Sequence, residues 1–242
     1  MSALLEVRAL SKSFRGLKAV QNAAFEVPQG GLVALIGPNG AGKTTIFNMI
    51  AGVYAPDGGE IRFAGEPIGG LRADQICAAG IGRTFQIVKP FAGLSVIDNV
   101  MVGALLREKG VSAARKRAAE MVEKLGLGTK RDLPAASLTL PDRKRLEVAR
   151  ALATRPRLLL LDEVMAGITP TECDLMVSVF RELNRADGLT IVLIEHVMRA
   201  VMALAQQVVV LHHGEIIARG APEQVVRDPA VLECYLGEEA EV

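Results

Sequence analysis

The stretch "GPNGAGKTT", residues 37–45, constrains this chain more than any other. It follows a short apolar run, "GGLVALIG" (30–37), and opens a segment, "GKTTIFNMIAG" (42–52), whose apolar spacing is that of a helix. Gly37, Gly42, Lys43 and Thr44 fit the pattern G-x-x-x-x-G-K-[ST]. In such a loop, here Gly37, Pro38, Asn39, Gly40, Ala41 and Gly42, glycines let the backbone wrap closely and turn its N–H groups onto phosphate oxygens. The helix N-terminus adds a partial positive charge. Lys43 can reach the β and γ phosphates of ATP, the Thr44 hydroxyl can hold Mg²⁺, and Thr45 completes the nucleotide-binding segment. The plainer alternative is a glycine-rich strand-to-helix turn without a ligand. The complete pattern between a strand and a helix argues against it.

A second part lies downstream. In "RLLLLDE" (157–163) the apolar residues drive a strand inward and set Asp162 at its C-terminal end, where α/β sheets bind ligands. Asp162 would assist Mg²⁺ mainly through its water shell, and Glu163 would orient or polarise an attacking water. Gln86, in "GRTFQIVKPF" (82–91), stands where the core should meet a helical insertion, and alone would read as a surface glutamine. His196, in "LIEHVM", falls just past a late apolar strand, within reach of a γ-phosphate; without the other parts it would read as structural. His212 and His213 precede "GE" and read as ordinary residues of a hairpin turn.

The runs "GGLVALIG", "RLLLLDE", "GLTIVLIEH" (188–196) and "QQVVVLHHG" (206–214) are continuous apolar strands of the kind buried on both faces of a parallel sheet. Helical patterns alternate with them, including "PTECDLMVSVFRELNRA" (170–186) and "HVMRAVMALA" (196–205). That alternation predicts an α/β fold. "LLEVRALSKSF", "AVQNAAFEVPQGG" and "GEIRFAGEPI" predict a small antiparallel sheet beside it. Residues 88–152 lack strand runs and predict a helical insertion between core segments 1–87 and 153–242. Within it "GVSAARKRAAEMVEKLGL" is amphipathic, and Arg115, Lys116 and Arg117 read as a solvated face.

The bulk numbers narrow the classes. The formal net charge is +1, so no basic field points to nucleic acid. Half of the 242 residues are hydrophobic, enough for a sizeable core. The three dispersed cysteines read as reduced thiols. The N-terminal "MSALLEVRALSKSF" carries early charges and no signal-peptide core, and no apolar run reaches the roughly 18–20 residues that span a bilayer.

Taken in order, "GPNGAGKTT", "RTFQ", "RKRLEVARAL", "LLLLDE" and "IEH" resemble the nucleotide-binding subunit of an ATP-binding cassette (ABC) transporter across essentially the whole chain. The resemblance implies a P-loop NTPase core with an antiparallel β subdomain and an inserted helical subdomain. It implies that Phe14 stacks on adenine, that Gln86 senses Mg²⁺ and the membrane subunit, and that His196 is the switch histidine. More narrowly, "GIGRTFQIVKPFAGLSVIDNVMVGA", "LDEVMAGITPTE" and "GEIIARGAPEQVVRDPAVLECYLGEE" resemble the ATPases of branched-chain amino acid importers, to which those of urea, short-amide and aromatic-acid importers are similar. The implied partners are a second ATPase subunit, two membrane permeases and a periplasmic solute-binding protein. The implied place is the cytoplasmic face of the plasma membrane.

One segment departs from that family. Where Leu-Ser-Gly-Gly-Gln usually stands, this chain has Leu138, Thr139, Leu140, Pro141 and Asp142. Both glycines are gone, and Pro141 has no N–H to donate. Thr139 to Asp142 nevertheless reads as a capping box, with proline tolerated in a first turn, so the helix N-terminus should survive and face a partner's nucleotide. Val164 and Thr169 also stand where the family often has proline and aspartate. Three rivals are a soluble ABC ATPase, which would usually carry two cassettes or long arms, a P-loop kinase, which would not explain "RTFQ", and a non-hydrolysing ATP-binding module, against which Glu163 and His196 argue.

Overall fold

A computed structural model describes residues 3–239, with side chains through residue 235. The chain opens with β1 (Ala3–Phe14), β2 (Leu17–Pro28), β3 (Leu32–Ile36), α1 (Lys43–Ile50), β4 (Gly58–Phe63), β5 (Glu66–Pro67), α2 (Ala73–Ala79) and β6 (Ile81–Arg83). Three long helices follow, α3 (Val96–Ala104), α4 (Val111–Lys124) and α5 (Leu140–Ala153). The last part holds β7 (Leu158–Asp162), α6 (Pro170–Asp187), β8 (Thr190–Ile194), α7 (Met198–Leu204), β9 (Gln207–His212), β10 (Glu215–Gly220), α8 (Pro222–Val225) and α9 (Pro229–Glu239).

Strands β2-β1-β4-β5 form an antiparallel sheet. The second sheet has the order β10-β9-β3-β8-β7-β6. Its strands are parallel except β10, which closes a hairpin on β9 through the turn at His213 and Gly214. The apolar runs are continuous because this sheet divides two cores. Leu32, Ala34, Ile36, Leu159, Leu161, Ile191 and Leu193 face the helices α3 to α7. Their neighbours Val33, Leu35, Leu158, Leu160, Val192 and Ile194 face α1 and the antiparallel sheet. Side chains alternate across a strand, so a strand covered on both sides must be apolar at every position.

Strand β6 escaped the sequence reading: it has three residues and no apolar run, yet it pairs with β7 through Ile81–Leu158, Gly82–Leu159 and Arg83–Leu160. The first α-helix of the segment 88–152 begins only at Val96, capped by Ser95, whose hydroxyl accepts from the Asp98 N–H. The expected solvated trio also divides. Arg115 is exposed and pairs with Asp98, whereas Arg117 is half-buried and reaches the Leu152 carbonyl on α5.

α3 packs closely on α5 at Gly103. A Cβ there would sit 2.3 Å from the Arg150 carbonyl oxygen. Gly103→Ala should therefore force the helices apart and cost about 1–3 kcal/mol. Thermal unfolding should show a melting temperature lowered by several degrees, and an unchanged value would show that the helices can shift freely. No helix among the described residues is long and apolar enough to cross a membrane.

Candidate nucleotide site

The loop between β3 and α1 takes the shape that its glycines permit. Gly37 has φ 144° and Gly42 φ 104°, both in the region that side chains rarely adopt. A Cβ on Gly37 would lie 1.9 Å from the Leu211 carbonyl oxygen, and one on Gly42 2.3 Å from that of Ala19. These two glycines are thus fixed by backbone angle and by contact with β9 and β2. Lys43 is buried, and its ammonium donates to the Gly37 and Pro38 carbonyls at 2.5 and 2.6 Å. The lysine thereby braces the loop at the mouth of the helix.

An open cleft of about 710 Å³ lies over this loop. Asn39, Gly40, Ala41, Gly42, Lys43, Thr44 and Thr45 form its floor, with Phe14 among the lining residues and Gln86 and Glu163 on the wall. Phe14 is half-exposed and held edge-on by Tyr54, with ring centroids 5.2 Å apart, while the Lys12 ammonium lies 5.6 Å from its centroid. An aromatic face is therefore available to a flat base at one part of the cleft, and backbone N–H groups to phosphates at another.

Asp162 ends β7 beneath the cleft and is almost wholly buried. Burial pushes its carboxyl above the usual range, and the Arg83 guanidinium, 3.1 Å from Oδ2, pulls the other way. Its backbone N–H donates to the Thr84 hydroxyl at 3.0 Å. Oδ1 is buried and has no hydrogen-bond partner among the described residues. One oxygen held and one unclaimed fits a carboxylate that would help hold Mg²⁺, with the exposed Thr44 hydroxyl as a further oxygen donor. Arg83 and Thr84 were not singled out in the sequence. They belong to β6 and the residue after it, and only the β6–β7 pairing brings them to Asp162.

Glu163 joins two of the other expected residues. Its Oε2 accepts from the Gln86 amide at 2.8 Å, and its Oε1 lies 2.8 Å from His196 Nε2. The residue has φ 51°, a left-handed backbone uncommon for glutamate. Around it stand two buried carboxylates that the sequence reading passed over. Glu195 accepts from the Met165 N–H at 2.8 Å, and burial pushes it up to about 7. Glu147, on α5, accepts from the Phe85 N–H at 3.1 Å and is likewise pushed up to about 7 by burial, with Arg150 opposing. The loop carrying Gln86 is thus tied to α5.

The segment Thr139 to Asp142 is not among the residues lining the cleft. Thr139 is the N-cap of α5 and Pro141 sits in its first turn, as expected, but the capping box is not made. The Thr139 hydroxyl instead donates to the Asp142 carboxylate at 2.8 Å, because that carboxylate is anchored by Lys130. Leu140 is exposed. Thr169 does make a full capping box with Glu172, so its hydroxyl serves α6.

The ABC transporter family matches residues 20–166, and a second family, described as branched-chain amino acid ATP-binding cassette transporter, matches residues 215–241. The high-affinity branched-chain amino acid transport ATP-binding protein LivG of Salmonella typhimurium is 39% identical, over 97% of this chain and 98% of its own. The lipopolysaccharide export system ATP-binding protein LptB of Acidithiobacillus ferridurans is 35% identical over the full length of both. The crystal structure of the ADP conformation of MJ1267, an ATP-binding cassette of an ABC transporter, superposes with a TM-score of 0.89 at 29% identity, covering 98% of this chain and all of that one. A phosphate loop, an acidic pair at a strand end and this extent of likeness meet in one conclusion: the chain belongs to the ABC transporter family, as an ATP-binding subunit whose ATP hydrolysis is coupled to transport.

Proposed function

We propose that this subunit drives an importer of branched-chain amino acids, docked on the cytoplasmic face of the plasma membrane against two permease subunits and served by a periplasmic binding protein. The match of residues 215–241 to the branched-chain cassette family carries the choice of solute, because that segment lies outside the part shared by ABC transporters at large. The likeness to LptB over the full chain is why the core alone does not choose it.

In this reading ATP lies in the cleft with its base against Phe14 and its phosphates on the loop 37–45. Bound Mg²⁺ would supply charge neutralisation on the phosphates. Lys43 exchanges its loop carbonyls for phosphate oxygens. Thr44 and Asp162 would hold the metal, and Gln86 would contribute from the wall. Glu163 accepts a proton from the attacking water, with His196 and Gln86 fixing its carboxylate. The N-terminus of α5 at Thr139 to Asp142 faces the nucleotide of a second ATPase subunit, and residues 88–152 act as the helical subdomain that meets the permeases.

Labelled-solute uptake in the native host tests the solute. Deleting the gene should abolish high-affinity uptake of leucine, isoleucine and valine and leave urea uptake unchanged. The reverse pattern would move the subunit to another importer, and normal uptake of both would remove the importer reading.

A further inference from the structure

The backbone that presents Glu163 is held from three sides. Its N–H donates to the Ile194 carbonyl of β8 at 2.9 Å. Two residues on, the Met165 N–H donates to the buried Glu195 carboxylate. The third hold comes from α5. Lys144 is buried, and its ammonium donates to the Glu163 carbonyl at 3.0 Å and also to the Ala166 carbonyl. One cation therefore clamps both ends of the turn 163–166. At φ 51° Glu163 holds a left-handed backbone, a strained conformation that persists only where the surroundings over-determine it.

Holding the ammonium there is unfavourable by itself. Burial lowers the Lys144 pKa, and Glu195, Glu163 and Glu147 oppose that loss of charge. A buried cation surrounded by three carboxylates, and directing its donors to main-chain carbonyls of the acidic turn, is more than a surface lysine covering apolar area. Lys144 lies one turn along the helix that Thr139 caps. It is the described side chain of α5 that grips this turn by hydrogen bonds.

We infer that Lys144 is a positioning residue for ATP hydrolysis: it holds Glu163 in its strained conformation and ties that carboxylate to the helix whose N-terminus faces the second subunit. It is not among the residues lining the cleft, so it would act through Glu163. The inference rests on the reading of Glu163 as the group that activates water.

The test compares Lys144→Met, Lys144→Gln and Glu163→Gln in the full-length chain co-expressed with its transporter partners. Lys144→Met keeps the length and removes the donors. It should lower kcat about 10-fold or more, the scale of a catalytic group displaced by a fraction of an ångström, while KM and the affinity for ATP stay near parental. Lys144→Gln keeps an amide donor and should recover part of the loss. A residue that only packs the helix would shift thermal stability without this split between kcat and KM, and glutamine would not rescue. Parental kcat in either folded lysine variant, with Glu163→Gln inactive, overturns the positioning role alone. Parental turnover in Glu163→Gln overturns the reading beneath it and the inference together. If Lys144→Met does not fold, Lys144→Gln carries the test: reduced kcat at unchanged KM supports the role, and parental kcat ends it.

Discussion

Glu163→Gln should bind ATP as tightly as the parent chain and lose nearly all hydrolysis. The substitution preserves shape. The new amide can still meet His196, and its carbonyl oxygen can still accept from Gln86, now 2.8 Å from Oε2. The loop 37–45, which carries most of the groups that would bind phosphate, is untouched. What disappears is the ability to take a proton from water, worth about 10²–10⁴-fold in rate for a well-placed general base. Calorimetry with ATP should give a near-parental dissociation constant, and phosphate release should fall by at least the lower of those factors. Equal turnover in variant and parent would remove Glu163 from the chemistry and leave Asp162, whose Oδ2 faces Arg83, as the acidic residue able to act there. A large loss of ATP binding instead would mean that the carboxylate shapes the cleft before any reaction begins.

The parts of this site that the sequence discloses are those whose chemistry is local. Gly37, Gly42, Lys43 and Thr44 announce themselves because one loop must satisfy backbone angles, close approaches and a cation within a few residues. Strands β3, β7, β8 and β9 are legible because burial on both faces leaves only apolar residues acceptable. Arg83 and Thr84 are hidden because they reach Asp162 only after β6 pairs with β7, a meeting of distant segments through a strand too short to show a period. Lys144 and Glu195 are hidden for a related reason. In sequence Lys144 is one cation among several in "DRKRLE", and nothing local separates it from Arg143 or Arg145. Packing alone selects it, since it is buried while its two neighbours are half-buried. The Thr139 to Asp142 pattern shows the opposite error: a true cap position with an incorrect bonding partner, because Lys130 claims the carboxylate that the local rule assigns to the helix backbone.

Lys43→Ala should weaken ATP binding by about 10²-fold or more. Lys43 is the buried cation of the loop, and it stands at the N-terminus of α1, where phosphates would gather. Hydrogen bonds to charged groups contribute about 1.5–3 kcal/mol each, so removing two such bonds to phosphate lowers affinity by roughly two to four factors of ten. The loop carbonyls pull in the same direction. With Lys43 removed, the Gly37 and Pro38 oxygens lose the ammonium that braces them, and the strained glycine loop has less reason to keep its binding shape. Calorimetry on the folded variant separates this from a loss of structure, because α1 is anchored elsewhere by Ile46, Phe47, Met49 and Ile50, all fully buried, and should survive the substitution. Affinity equal to the parent's would mean that backbone N–H groups and Mg²⁺ alone hold the phosphates. In that case Lys43 is a loop brace rather than a ligand, and the cation that meets the phosphates must be sought on the second subunit.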